Sequence, residues 1–351
     1  MKGYSVNGKA EVEYIDYRKY KSKVPSKKNS VHEVLIYIQR QLPENKSLKI
    51  EMPEVTNTWR ADKKTYIKSP LNYIGGKYKL LKQILPLFPT SIDTFVDMFS
   101  GGANVGINVE ANKYIFNDMN TKINEMFRYF LSKSPDDLVK EIRSRIDEYG
   151  LSKVNESAYL HFRSDYNANP NPLDLYVLVS FSYNYQFRFN NSMKFNNPFG
   201  KNRSHFSDNM EKNLRQFVTQ LKTIDVKFTD ELFTNFDITH LTTEDFVYLD
   251  PPYLITTGNY NDGNRGFLNW GPKQELEMYA LLTDLSNRGV RWALSNVTEH
   301  KGKENEYLKE FIEQTDVYVN YLDYSYHNSS HNTSRGKSTE VLITNYDVRA
   351  K

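Results

Sequence analysis

The chain of 351 residues contains no cysteine, 39% apolar and 25% charged residues, and a formal charge of +3. That composition describes a globular protein with a sizeable core, and it excludes disulfides, thiolate metal sites and a cysteine nucleophile. The charge is uneven: residues 1–70 carry 15 Lys+Arg against 8 Asp+Glu, while the rest of the chain is net acidic by four.

Residues 1–67 read as a basic N-terminal appendage, partly ordered or disordered. A short amphipathic helix is expected over residues 31–42 (VHEVLIYIQRQL), after Ser30 and before Pro43. A solvated charged leader is the first reading of this segment, and contact with nucleic acid the second. The opening MKGYSVNGKAEVEYID has no apolar core of a signal peptide. No apolar run reaches the roughly 18 residues that suggest a membrane helix. A cytoplasmic protein without membrane association is expected. Seven histidines with no H-E-x-x-H pair give no support to a metal site, and none is expected.

From residue 68 onward, strand and helix signals alternate. A strand over residues 93–98 (DTFVDM) runs into Ser100-Gly101-Gly102, and a helix is expected over residues 103–111. A second strand, residues 114–116, meets Asn117-Asp118. Ser134-Pro135-Asp136-Asp137 starts a helix, with a hydroxyl cap, a first-turn proline and acids at the positive end of the dipole. Leu138, Ile142, Ile146 and Tyr149 continue it at helical spacing, and Gly150 ends it. A strand over residues 246–249 leads into Asp250-Pro251-Pro252-Tyr253. Then come a helix over 276–288, a strand over 290–297, a helix over 307–314, and strands over 317–324 and 340–346 as a late antiparallel hairpin. The alternation predicts an α/β fold with a doubly wound, mostly parallel sheet.

Three features carry chemistry. Phe99-Ser100-Gly101-Gly102 after a strand allows a ligand to approach the backbone, although glycine turns between strand and helix are common. Asp118 follows the second strand, where an acid binds ribose hydroxyls in nucleoside-cofactor folds; a helix N-cap is the commoner use of such a residue. Asp250-Pro251-Pro252-Tyr253 is the most specific. Two prolines remove two backbone donors and stiffen the bend past the sheet. An acid and a bend carbonyl together suit a conjugated exocyclic amine such as adenine N6. Holding its two hydrogens frees the nitrogen lone pair, and Tyr253 supplies a face for the heterocycle.

Tyr73-Ile74-Gly75-Gly76-Lys77, Phe99-Ser100-Gly101-Gly102, Asn117-Asp118-Met119-Asn120 and Asp250-Pro251-Pro252-Tyr253 stand in the order seen in Dam-type (D12 class) DNA adenine-N6 methyltransferases. The chain resembles this family over roughly residues 68–347, most closely the Dam enzymes of T-even bacteriophages. Leu254-Ile255-Thr256, Ser295-Asn296-Val297 and Gly302-Lys303-Glu304-Asn305 add to that likeness, and Ser334-Arg335-Gly336-Lys337 is similar to bacterial members. The resemblance implies a Rossmann-like methyltransferase sheet with S-adenosylmethionine as donor. By this resemblance Tyr73, Gly75, Gly76, Lys77, Phe99, Gly101, Gly102, Asp118 and Asp250 contact the donor. Asp250, Pro251, Pro252 and Tyr253 form the catalytic motif. Some relatives carry Trp where this chain has Tyr73, so an indole N–H contact would be lost.

Gly102 and Asp250 are 148 positions apart, more than two strands and two helices require, so an insertion is expected. Residues 183–203 (YNYQFRFNNSMKFNNPFGKNR) mix basic, amide and aromatic side chains with no acid. Amides pair with adenine, arginine with guanine, and aromatics wedge into a stack; a polar solvent loop is the plainer alternative. The resemblance makes residues 123–218 an inserted, mainly helical DNA-recognition domain within a catalytic domain of residues 68–347. Arg188 is similar to a guanine-reading arginine, and Tyr183, Asn184, Gln186, Asn190 and Pro198 are further candidate DNA contacts. Arg335 and Lys337 are candidates for phosphate contact. The function so implied is methylation of a flipped adenine in duplex DNA, with GATC as the usual family target, by a monomer or weak dimer in a bacterial or phage-infected cell. An RNA adenine methyltransferase and a non-catalytic DNA-binding relative are the alternatives. Asp in place of Asn at position 250 argues against a protein amide as substrate.

Overall fold

The computed structural model describes residues 66–73, 75–256, 270–323 and 338–348. The expected helix over residues 31–42 and the candidate phosphate contacts Arg335 and Lys337 lie outside these residues, as does Ile74. A short helical segment opens the described part, with α1 (Leu81–Ile84) at its centre. The sheet begins with β1 (Thr94–Asp97) and β2 (Lys113–Asn117). Next in the chain come α2 (Thr121–Ser132), α3 (Pro135–Tyr149), α4 (Glu156–Ala168), α5 (Pro172–Phe181) and α6 (Asp208–Leu221). The remaining elements are β3 (Val226–Thr229), β4 (Phe246–Leu249), α7 (Pro272–Asn287), β5 (Arg291–His300), β6 (Lys303–Glu304), α8 (Glu306–Gln314), β7 (Tyr318–Leu322) and β8 (Ser338–Thr344).

The strand order is β3-β2-β1-β4-β5-β8-β7, with β6 paired to β5 off this path. The first five strands are mutually parallel, and β8 runs antiparallel to both β5 and β7. The expected late hairpin is present, and its second strand is inserted between β5 and β7. Alternation along each strand divides the core into two faces. Phe95, Phe116, Phe246, Tyr248 and Leu342 join α2, α3, α5 and α6 on one face. Val96, Val247, Leu249, Leu294 and Ile343 join α7 and α8 on the other. This is the doubly wound, Rossmann-like arrangement.

Local signals set several helix ends. Ser134 caps α3 by accepting from the Asp137 amide, and Gly150 closes it in the left-handed region at φ 61°. Asn155, Asn171 and Ser207 cap α4, α5 and α6 in the same way. Almost every residue of α5 is buried, so this helix is the centre of the helical group between β2 and β3.

The helix expected over residues 103–111 does not form. A single 3-10 turn, Gly106–Asn108, stands there. Ala103 takes a left-handed φ of 55°, which breaks the helical path at its first residue. Gly106 then packs against the Phe116 ring so closely that no Cβ fits between them. The glycine turn therefore does not present the amide cluster and dipole of a helix N-terminus.

Candidate active site

Parallel strands β2, β1 and β4 are neighbours, so the residues that end them share one edge of the sheet. Asp118, Asp97 and Asp250 occupy these ends. The strand order reverses at β1 and β4, which is where open α/β sheets form their binding crevice.

At the β1–β2 side, Asp118 accepts the Gly101 amide at Oδ2 and the Asn120 amide at Oδ1, both at 2.8 Å. Burial pushes its carboxyl up to about 6, with the two amide bonds opposing the rise. Gly101 has φ 45°, and a Cβ there would stand 2.8 Å from the Tyr73 ring. The aromatic ring thus lies directly on the glycine backbone. Gly76 donates its amide to the Tyr73 carbonyl at 3.3 Å, and Phe99 packs with Phe233 and Trp270.

At the β4 end, Lys77 Nζ lies 2.9 Å from Asp250 Oδ1 and donates to the Gly75 carbonyl at 2.9 Å. The lysine is 6% exposed, so this is a buried ion pair and not the ordinary surface lysine that its sequence position allows. Its ammonium stands 4.9 Å from the centroid of the Tyr253 ring. The Tyr253 hydroxyl donates to Asp250 Oδ1 at 3.1 Å, with Glu340 Oε2 as a second acceptor for the same proton at 3.5 Å. Burial raises the Asp250 carboxyl above the ordinary range, while Lys77 and the Tyr253 hydroxyl hold it down. Asp97 is raised much further by burial and by the Asp250 charge. Its Oδ1 has no hydrogen-bond partner among the described residues.

Asp97 and Glu340 are the site residues that the motifs missed. Both carried a signal. Asp97 is an acid at the tip of an apolar strand, and Glu340 is the lone charge before the apolar run Val341-Leu342-Ile343. A strand buried at such a position has no structural need for a carboxylate.

The candidate DNA-reading segment follows α5 as a loose hairpin. Ser182 bridges Phe199, Phe189 bridges Phe195, and the Asn196 amide donates to the Arg188 carbonyl at 2.9 Å. Phe187, Phe189, Phe195 and Phe199 are buried. The expectation that these aromatics wedge into a base stack is corrected: the hairpin turns them inward because alternate residues face the core. Tyr183 is the exposed exception at 47%. Asn184, Arg188 and Pro198 are exposed, while Gln186 and Asn190 are half-buried. Asn190 Oδ1 accepts the amides of Ser192 and Lys194, so its acceptor is engaged in its own turn. This hairpin touches the Tyr73 loop. Asn72 Nδ2 donates to the Asn184 carbonyl at 2.8 Å, and the Tyr73 and Phe187 rings stand 6.4 Å apart.

Among the described residues no cluster of metal-ligating side chains occurs, and no helix is long and apolar enough to cross a membrane.

The sequence model of the D12 class N6 adenine-specific DNA methyltransferases matches residues 73–333. The chain is 61% identical over 349 residues to the modification methylase StsI of Streptococcus sanguinis, covering 99% of this chain and 53% of that protein. It is 48% identical over 330 residues to the type II methyltransferase M.FokI of Planomicrobium okeanokoites, covering 94% of this chain and 50% of that protein. Identity to the modification methylase LlaI of Lactococcus lactis subsp. lactis is 32% over 350 residues, covering 98% of this chain and 51% of that protein. The chain spans about half the length of these curated relatives. Two of them are modification methylases by name and one a type II methyltransferase, so the likeness is not, as expected from the motifs, to phage Dam enzymes specifically. The match to StsI also takes in the basic leader, which the motif resemblance left out.

Proposed function

The chain belongs to the D12 class N6 adenine-specific DNA methyltransferases, and on that premise we propose that it transfers a methyl group from S-adenosylmethionine to the N6 amine of an adenine flipped out of duplex DNA. The observation that carries this reading is the Asp250 carboxylate. It stands at the end of β4, held by Lys77 and the Tyr253 hydroxyl, beside the glycine turn that follows β1.

The donor set of the crevice fits a ligand with hydroxyls and positive charge. Asp118 is a buried acid aimed at the Gly101 turn, and the buried Asp97 Oδ1 has no hydrogen-bond partner among the described residues. Asp118 would receive the ribose hydroxyls and Asp97 the donor's ammonium, with Tyr73, Gly75, Gly76, Phe99 and Gly102 forming the surrounding loops. S-adenosylmethionine, when bound, supplies an electrophilic methyl group on a sulfonium.

Asp250 then accepts the hydrogens of the N6 amine, and Tyr253 stacks on the ring. Pro251 and Pro252 hold the bend stiff so that acid and aromatic keep one relation. Flipping is required because N6 is engaged in base pairing inside the duplex. Positioning supplies most of the acceleration; as the N6–CH3 bond forms the sulfonium–methyl bond breaks, the neutral thioether leaves, and the surplus N6 proton passes to Asp250 and then to water.

Residues 123–218 serve as the target-recognition insertion within the catalytic domain of residues 68–347. The exposed Arg188 reads a guanine, with Tyr183, Asn184, Gln186 and Pro198 beside it and Arg335 and Lys337 on phosphates. GATC is the context to test first. The protein acts as a monomer or weak dimer on cytoplasmic DNA, and the names of its relatives support a role in a restriction-modification system.

The test is incubation of duplex DNA with labelled donor, followed by sequencing of N6-methyladenine in context. Methyl transfer to adenine is expected, with a fall of about 10²-fold or more in Asp250→Ala. Transfer to RNA alone would favour the RNA reading. Donor binding with no transfer to any nucleic acid would favour the non-catalytic one.

A further inference from the structure

Glu340 is the single charged residue of β8, whose following residues Val341, Leu342 and Ile343 are all buried core. The residue is itself only 6% exposed. Because β8 runs antiparallel to β5, its N-terminal residues lie at the edge where the parallel strands end. The register sets Glu340 opposite Val297 of β5 and Leu322 of β7. A buried carboxylate is strongly disfavoured without partners, and an apolar side chain would satisfy this strand position at no such cost. A residue that breaks the local pattern at a strand end facing the crevice marks function.

The partner of Glu340 is Tyr253. The phenolic hydroxyl has one proton and two carboxylates before it, Asp250 at 3.1 Å and Glu340 at 3.5 Å. The two acids thus hold the hydroxyl end of the ring from two elements, the β4 loop and β8. Lys77, which pairs with Asp250, also attracts Glu340, and Asp250 repels it.

We propose that Glu340 is a positioning residue for methyl transfer, anchoring the Tyr253 hydroxyl at Asp250 so that the stacking ring and the amine-binding carboxylate keep one fixed relation. Without Glu340 the hydroxyl leans on Asp250, the group that must also accept the amine, while the ring face keeps its Lys77 contact. Turning Asp250 toward substrate then releases the hydroxyl at the moment it is needed. With Glu340 in place, the hydroxyl retains an acceptor throughout. The inference rests on adenine methylation as the reaction.

The experiment compares wild type, Glu340→Leu, Glu340→Gln, Tyr253→Phe and the Glu340→Leu/Tyr253→Phe double variant in steady-state methylation of duplex DNA. Leucine suits the buried apolar run of β8, and glutamine keeps an acceptor for the hydroxyl. Glu340→Leu is expected to lose roughly ten- to a hundred-fold in kcat, as for misplaced reacting groups. KM for the donor stays within about two-fold, because the residue acts on the amine side of the site. Glu340→Gln recovers a large part of the loss, and the double variant is no worse than Tyr253→Phe alone. Wild-type kcat in Glu340→Leu, or losses that multiply in the double variant, overturns the proposal. Should Glu340→Leu not fold, Tyr253→Phe decides the matter: an unchanged kcat there removes the hydroxyl from the mechanism and the role of Glu340 with it. A wild type inactive on every nucleic acid refutes the methylation reading instead, which separates the two failures.

Discussion

Lys77 and Asp250 are 173 positions apart in the chain and form a buried ion pair at 2.9 Å, with Nζ of Lys77 also lying over the Tyr253 ring. The lysine opens the short 3-10 turn (Lys77–Leu80) that precedes the sheet, and the acid is the first residue after β4. Their pairing ties the two loops of the crevice together. It also gives the Asp250 carboxylate, proposed above as the amine acceptor, a counter-charge in the absence of substrate.

Removing Lys77 strands a buried carboxylate. Breaking such a pair from one side costs about 3–5 kcal/mol unless the remaining group neutralises itself. Asp250 already stands above the ordinary carboxylate range, and Lys77 is among the groups restraining it. In Lys77→Ala the carboxyl rises further. A raised carboxyl favours the fold in its protonated form, and that contribution is lost as pH rises through the folded value. The melting deficit of Lys77→Ala is therefore expected to grow as pH rises from acid toward neutral. The acid limb of its pH–rate profile moves to higher pH. A deficit independent of pH would contradict the pairing.

Asp118 gives a second pH dependence. Its carboxyl is pushed up to about 6 by burial, so the fold alone is favoured by its protonation and loses that contribution as pH rises through about 6. Donor hydroxyls require the ionised form. Calorimetric affinity for S-adenosylmethionine is expected to weaken below pH 6, and bound donor draws the carboxyl back down. Asp118→Asn should bind weakly, with this pH dependence abolished.

Gly101 cannot be replaced without strain. Its φ is 45°, and a Cβ at this position would meet the Tyr73 ring at 2.8 Å, which leaves no space for a methyl group. Gly101→Ala is expected to cost roughly 1–3 kcal/mol, from the left-handed backbone and overpacking together. Thermal melting measures it. Tyr73→Ala in the same chain should recover the packing part and leave the backbone part.

Arg188 and Asn190 are two residues apart and have different roles. Arg188 is exposed, so Arg188→Ala is expected to leave stability within about 0.5 kcal/mol. It should relax discrimination at one guanine by about 1–3 kcal/mol in methylation of substituted duplexes. Asn190 Oδ1 accepts two amides of its own turn. Asn190→Ala should therefore lower stability by about 1 kcal/mol, with target preference unchanged.

Much of the fold was legible because its signals are local. A serine followed by proline and two acids starts α3 wherever the rest of the chain lies, and Gly150 ends it, since both act through the nearest backbone groups. The apolar strands, the late hairpin and the Asp250-Pro251-Pro252-Tyr253 bend are of this kind. The family was legible too, in the order of four short motifs. The helix after Gly102 was misread because its obstacle is distant in sequence: Phe116 leaves no space beside Gly106, and Ala103 turns left-handed.

What the sequence by itself determined is the alternation of strands and helices, the caps that bound them, and the acid-proline-aromatic bend. These depend on backbone preference and hydrophobic period within a few residues. Only the tertiary structure decided which charges meet and which rings face inward. Lys77, Asp250, Tyr253 and Glu340 come from the start of a 3-10 turn, the bend at a strand end and an antiparallel strand, and the sheet order brings them to one edge. Phe187, Phe189, Phe195 and Phe199 have the composition of a stacking surface, yet the hairpin turns them into the core. Burial makes these choices, because desolvation and packing depend on every neighbouring element at once, and no short stretch of sequence holds that information.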